Sequence, residues 1–297
     1  MASENVLILD GGMATSLEAK GFDLSGSLWS ARVLVDNPMA IRDVHVEHAR
    51  AGADIVTSAS YQASRSGFIN AGLTEDDYLR ALELSLILAQ SAADEVGSEA
   101  KRTVRVAASV GPYGATLADG SEYRGDYNVT KEFLIDFHGQ RLHDIEQHEP
   151  DLLAIETVPS IIELDAINHL LNNEFRHLSA WVSCSAPNGE TISDGTAIAD
   201  AYRLLTAPNI VARGINCTKP EFIDSLLTRA GGEGPYVVYS NAGRTWDAEN
   251  RVWLDAGSLT IPDDTVKSWI SHGATMVGGC CGLGVEHIAA VAALLGR

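Results

Sequence analysis

Eight short apolar or β-branched runs punctuate the chain: Val6–Leu9, Asp54–Thr57, Val104–Ala108, Leu152–Ile155, Ala180–Ser183, Ile210–Ile215, Tyr236–Tyr239 and Thr275–Val277. Most are continuous rather than alternating in hydrophobicity, as expected of strands covered on both faces. Between them apolar positions recur at helical spacing, and several segments carry their own start signals. Asn37-Pro38 places a cap residue before a proline suited to the first helical position. Ile41, Val44, His48 and Ala49 then share one face, and Gly52 closes the helix. Thr74 to Asp77 precedes the long run Tyr78–Val96, Ser160 and Glu163 stand at capping-box spacing, and Lys219-Pro220 opens a helix directly after the sixth run. A final helix is expected from about Val285 to Leu295.

Eight strand–helix alternations predict an α/β protein, a (β/α)8 TIM barrel in preference to an open doubly wound sheet. The 297 residues contain no Pro/Ser-rich linker, charge block or low-complexity tract, so a single domain spanning 1–297 is expected. The longest non-periodic stretches are Gly21–Asp36, Pro112–Val129 and Asn241–Pro262. Each follows a strand or an early turn, which in a barrel puts it on the C-terminal rim, where substrate loops belong.

Charge and termini narrow the partners. The net charge of −19, from 21 Lys+Arg against 40 Asp+Glu, offers no basic face to a phosphate backbone, and no nucleic-acid partner is expected. Met1 to Asn5 carry no basic side chain, Val6–Leu9 is too short for a signal-peptide core, and no stretch approaches the length of a membrane span. The expectation is a cytoplasmic protein with no membrane partner. Four cysteines in so long a chain do not suggest a disulfide framework.

Three of those cysteines, Cys217, Cys280 and Cys281, follow the sixth and eighth apolar runs, at strand ends where barrel enzymes keep their chemistry. Adjacent cysteines on a regular strand face opposite ways, but Gly278, Gly279 and Gly282 relax the backbone so that both sulfurs can turn toward one point. Three thiolates and one open position would make a catalytic zinc site that activates another sulfur, which points to thiol alkylation. A vicinal redox pair or plain packing is the other reading of the same spacing. Cys184, beside the fifth run, reads as a small core residue.

Asp10, followed by Gly11 and Gly12, suits an α-amino acid: the carboxylate takes its ammonium and the backbone N–H groups take its carboxylate. An ordinary turn is the alternative. Glu156 is a second carboxylate at rim depth, equally readable as part of a structural ion pair. Trp29, Tyr61, Tyr113, Tyr123 and Tyr127 offer aromatic faces for a sulfonium or ammonium group, or simple wall packing. His45 and His48, one turn apart on a predicted helix, match no metalloprotease spacing.

With Asp10-Gly11-Gly12, Glu156-Thr157, Gly214 to Cys217 and Gly279 to Gly282 in this order, the chain resembles the homocysteine S-methyltransferase family, from Leu7 to the last helix. Thr57–Gln62, Ser109–Gly114, Ala118–Tyr127 and Ser193–Thr196 look like the branch that uses S-methylmethionine or S-adenosylmethionine as methyl donor. The resemblance implies Zn2+ held by Cys217, Cys280 and Cys281 as the catalytic centre, and the amino-acid end of homocysteine held by Asp10, Gly11, Gly12 and Glu156. It adds Asn216, Trp29 and Tyr61 as substrate-binding residues. The implied substrates are small molecules, L-homocysteine and a sulfonium donor, with methionine as product. Betaine-using relatives resemble the chain less in the loops, and Thr157 stands where an aromatic that contacts the donor is expected in them, although Trp29 matches an aromatic they share. A betaine-dependent enzyme, or a thiol-redox or metal-sensing barrel using the same cysteines, is the alternative.

Overall fold

The computed structural model of the chain describes residues 6–24, 30–232, 234–243, 246–247, 252–253 and 258–297. All eight apolar runs form strands: β1 Leu7–Ile8, β2 Ile55–Thr57, β3 Arg105–Val110, β4 Leu152–Val158, β5 Ala180–Cys184, β6 Ile210–Asn216, β7 Tyr236–Ser240 and β8 Ala274–Gly279. They make one parallel sheet in the order β1-β8-β7-β6-β5-β4-β3-β2, and a parallel bridge between Leu9 and Ile55 joins its two ends. The result is the expected (β/α)8 barrel, nearly closed.

β3 to β8 run one to three residues past the apolar runs, taking in Ser109, Glu156, Asn216 and Ser240. Ladder bonding belongs to the backbone, so a strand continues where hydrophobicity stops, provided the polar side chains find partners. Inside the ring Leu9, Ile55, Ala107, Ala154, Trp181, Ala212, Val237 and Met276 form one buried apolar cluster. Their strand neighbours Ile8, Val56, Val106, Leu153, Val182, Val238 and Val277 belong to the larger core shared with the helices. Side chains alternate across a strand, so the residues two positions beyond the inner cluster also face the axis. Those residues are Thr57, Ser109, Glu156, Ser183 and Tyr239, with Asn216 four beyond Ala212. The inner wall thus turns polar toward the C-terminal mouth.

The helix signals fare unevenly. Pro38–Ala51 begins with its proline and ends at Gly52, with Ile41, Val44, His48 and Ala49 all buried. In Glu75–Ala100 the Thr74 and Asp77 side chains cap each other's backbone. The box expected at Ser160 is half formed. Ser160 accepts from the Glu163 amide, but the Glu163 carboxylate turns inward to the Tyr113 amide, the Tyr127 hydroxyl and the His138 ring. A fully buried carboxylate with those donors in reach has no reason to fold back on the helix end. Pro220–Ala230 and Val285–Leu294 stand where expected. Two stretches expected to be irregular hold helical turns, Ser30–Asp36 in one and Tyr113–Thr116 with Ser121–Tyr123 in the other. The third contains a short antiparallel ribbon, Trp246–Asp247 with Val252–Trp253.

Candidate active site at the barrel mouth

The polar layer at the mouth is shaped by an irregularity in β4. Its pairing with β5 jumps from Ile155–Val182 to Val158–Cys184, leaving a bulge at Glu156 and Thr157, and bulges re-aim side chains. Thr157 has φ of 61° and Cys217, just past β6, has φ of 47°. Left-handed backbone at a residue with a Cβ costs on the order of 1–2 kcal/mol, so each must be held in place. The Asn216 amide holds the first: its oxygen accepts from Thr157 N at 2.7 Å and from Ser183 Oγ at 2.9 Å, and its nitrogen donates to Thr157 Oγ1 at 2.7 Å. Cys217 N donates to Tyr239 O at 3.1 Å. Two strands that are not neighbours are thereby tied together through one side chain.

Two carboxylates face the same space. Asp10 accepts from Thr57 N at 2.7 Å and from Thr57 Oγ1 at 2.8 Å. Glu156 accepts from the Ser109 hydroxyl, and the Tyr239 hydroxyl lies close enough to favour its charged form. Both are buried. Desolvation pushes Asp10 up to about 7 against the pull of the Thr57 bonds, and the Glu156 charge adds to the rise. Burial raises Glu156 as well, opposed by Ser109 and Tyr239. A pair of this kind is suited to sharing a cation such as an ammonium.

Of the two glycines after Asp10, Gly12 has its amide engaged within the fold. The Gly12 amide donates to Leu283 O at 2.8 Å, so it is not offered to a ligand. A Cβ on Gly12 would stand 2.7 Å from Cys280 O, and one on Gly11 would stand 2.6 Å from Leu283 O. This turn lacks side chains so that it can press against the cysteine loop.

The three cysteine sulfurs lie within 4.8 Å of one another. Cys217 and Cys280 are joined as a disulfide, and Cys281 Sγ stands 3.5 Å from Cys217 Sγ and 3.9 Å from Cys280 Sγ. Gly282 follows with φ of 82°, so the chain turns away directly after the pair. Zinc–sulfur bonds of about 2.3 Å in a tetrahedron put sulfurs about 3.8 Å apart. Both Cys281 distances already suit that geometry, and reduction of the disulfide frees the remaining pair. Burial pushes the Cys281 thiol up to about 12, so it ionises only beside a strong positive charge. The donor set fits a soft tetrahedral metal. Cys184 sits in the core, fully buried, as expected.

Asp10, Gly11, Gly12, Tyr61, Glu156 and Asn216 line one pocket around the three cysteines. Trp29 lies outside the described residues. The lining also includes Tyr123, one of the aromatics expected to offer a face to a cationic group, and Thr57, Ser109, Thr157, Tyr239 and Glu122, none of which had been singled out as a binding residue. The strand residues among them could have been found from the period-two alternation that places them beyond the apolar layer. Tyr123 brings its hydroxyl to 3.8 Å from Cys217 Sγ. Tyr113 and Tyr127 stack edge to face on each other, centroids 5.3 Å apart, outside this lining. His48 is buried and bonds Ser16 Oγ at 3.0 Å. No helix among the described residues is long and apolar enough to cross a membrane.

A family model for homocysteine S-methyltransferase matches residues 7–295. The homocysteine S-methyltransferase YbgG of Bacillus subtilis is 43% identical over 296 residues, covering 97% of this chain and 94% of its own. The homocysteine S-methyltransferase of Escherichia coli is 42% identical over 296 residues, 98% of this chain and 95% of its own. Crystal structures of the E. coli homocysteine methyltransferase MmuM superpose with a TM-score of 0.87 in both the metallated form (40% identity) and the oxidised form (41%), each covering 98% of this chain and 96% of that one. Sequence, fold and pocket agree: the chain belongs to the homocysteine S-methyltransferase family and is a methyltransferase.

Proposed function

We propose that the protein is zinc-dependent and moves a methyl group from a sulfonium donor, S-methylmethionine with S-adenosylmethionine as a second, to L-homocysteine, giving methionine. Residues 1–297 act in this reading as one homocysteine-binding barrel domain. The observation that carries it is the meeting of three cysteine sulfurs and two buried carboxylates in one pocket. Cys217, Cys280 and Cys281 are the zinc ligands in this reading. Zinc bound there would keep the homocysteine sulfur as thiolate at neutral pH, where a free thiol is only a few per cent ionised.

The protein's own groups do the positioning. Asp10 and Glu156 take the homocysteine ammonium and so aim its sulfur at the cysteine end of the pocket. The donor enters with its methyl group in line with that sulfur. A carbon–sulfur bond forms to homocysteine as the donor's own breaks, and the electron pair stays with the donor sulfur. A neutral thioether leaves, so no proton need move on the donor side. With S-methylmethionine both products are methionine. Tyr61 and Tyr123 in the lining support a cationic donor. The Cys217–Cys280 disulfide favours a second reading, a thiol-redox barrel, which predicts no methyl transfer.

The test uses reduced protein supplied with zinc, homocysteine and S-methylmethionine, S-adenosylmethionine or betaine at equal concentration, with methionine measured. Expected are about one zinc per chain and faster turnover with the sulfonium donors than with betaine. Cys217→Ala, Cys280→Ala and Cys281→Ala should lose zinc and turnover with the barrel still folded, because the rim is not the core. Faster turnover with betaine overturns the donor assignment. Full zinc in any two of the variants overturns the ligand set.

A further inference from the structure

Beyond Asp10 and Glu156, a third buried carboxylate lines the pocket. Glu122 lies in the helical turn Ser121–Tyr123, is 4% exposed, and shares the lining with Tyr61, Tyr123 and the cysteines. Its Oε2 is buried, and among the described residues no hydrogen-bond donor reaches it. A desolvated carboxylate oxygen without a donor costs more than almost any other polar group a protein can bury.

Among the described residues no basic side chain is hydrogen-bonded to Glu122 Oε2, and Arg124 acts on it only through its charge. The basic residue on the same turn, Arg124, is committed to Asp126, the Asp119 carbonyl and the Ser121 hydroxyl. The turn itself is held firmly. Ser185 Oγ donates to the Glu122 carbonyl at 3.2 Å, Ser121 N donates to Asp119 Oδ1 at 2.9 Å, and Glu163 anchors Tyr113 and Tyr127 on either side. Glu122 is therefore fixed in place by the fold while its own carboxylate stabilises none of those contacts. Burial pushes that carboxyl up to about 7, with a bond to its own backbone amide and the Arg124 charge only partly opposing the rise and the Asp119 charge adding to it.

We infer that Glu122 is a specificity-determining residue that accepts the α-ammonium of an amino-acid methyl donor. The inference rests on the sulfonium-donor reading above. Asp10 and Glu156 already form one site for the acceptor's ammonium. A sulfonium amino acid brings a second ammonium, and a rim carboxylate beside the cysteines is where the second substrate would meet the first. An acceptor oxygen calls for an N–H donor, which an ammonium has and the quaternary nitrogen of betaine lacks. Glu122 would thus select for amino-acid donors by a bond that betaine cannot make.

The experiment compares wild type with Glu122→Gln, nearly identical in shape, using S-methylmethionine and its deamino analogue, the corresponding dimethylsulfonio-butanoate. In the wild type the analogue should show a KM about ten- to a hundredfold above that of S-methylmethionine, the loss of one charge-assisted bond. Glu122→Gln should raise the S-methylmethionine KM by a similar factor, leave the analogue unchanged and leave the homocysteine KM within about twofold. Equal wild-type KM values for the two donors overturn the inference without recourse to any variant. An equal rise for homocysteine and donor in Glu122→Gln overturns it too, by making Glu122 part of the acceptor site or of the scaffold. If the wild type uses neither S-methylmethionine nor S-adenosylmethionine, the donor reading falls and this inference with it. Normal wild-type turnover with an unmoved donor KM in Glu122→Gln removes Glu122 alone.

Discussion

A carboxylic acid whose pKa stands at about 7, as burial and the neighbouring Glu156 charge impose on Asp10, is only half ionised at neutral pH. An ammonium binds the ionised form. Below pH 7 the free site must first lose a proton, so the homocysteine KM should climb by about tenfold per pH unit and level off above 7. Asp10→Asn should abolish that acid limb and raise the KM about ten- to a hundredfold at pH 8, and Glu156→Gln should weaken homocysteine similarly, both with zinc retained. Steady-state kinetics from about pH 5.5 to 8, with metal analysis, reads all of this; homocysteine constants equal to wild type in both variants make the two carboxylates structural. Asp10 and Glu156 were legible because each directly follows an apolar run. Thr57 and Ser109, which hold them, were not, since a small hydroxyl residue acquires a role only through the direction in which its strand points it.

Where β4 and β6 end, one side chain does what a backbone ladder cannot. Asn216 bridges over β5 to Thr157 and so stabilises the bulge that aims Glu156, one residue before Cys217 takes its left-handed turn. Asn216→Ala would strand Thr157 N and Thr157 Oγ1 in a buried setting. A stability loss on the order of 2–3 kcal/mol is expected in urea unfolding, together with weaker zinc retention. A variant with wild-type stability and a raised homocysteine KM would instead make Asn216 a substrate contact, as the family resemblance suggested. The eight strands were readable as elements from hydrophobicity, but their C-terminal extensions were not. The residues that extend them are polar, and only neighbouring strands make them strand-like.

At the scale of the whole molecule, packing of Pro38–Ala51 buries two histidines in neutral form. Desolvation lowers His45 to about 3 and His48 to about 4, with the His48 charge adding to the first and the Lys20 charge to the second. In the unfolded chain both titrate near 6.5. Each folded pKa is depressed, so this stability is present in full above pH 6.5 and is lost as pH falls toward 4 and 3. At pH 5 the loss is on the order of 2 kcal/mol for each. Both His45 ring nitrogens are buried without a partner among the described residues, so His45→Leu should cost little at pH 7 and shrink the acid loss by about that amount. Urea unfolding at pH 7 and pH 5 checks it; parallel losses in wild type and variant sink the idea.

Hydrophobic period and punctuation determined the eight strands, most of the helices between them and therefore the barrel, because those signals depend only on which residues sit beside one another along the chain. The order of motifs assigned Cys217, Cys280, Cys281, Asp10 and Glu156 to the same end of that barrel, because each stands at the end of an apolar run. Tertiary structure alone decided that Gly12 yields room to the cysteine loop, that Asn216 locks a bulge, that Glu163 leaves its helix cap for an inward network, and that Glu122 Oε2 is buried without a donor among the described residues. Each of those facts concerns contacts between residues far apart in the chain. Such contacts are set by how the barrel closes, and no local pattern carries them.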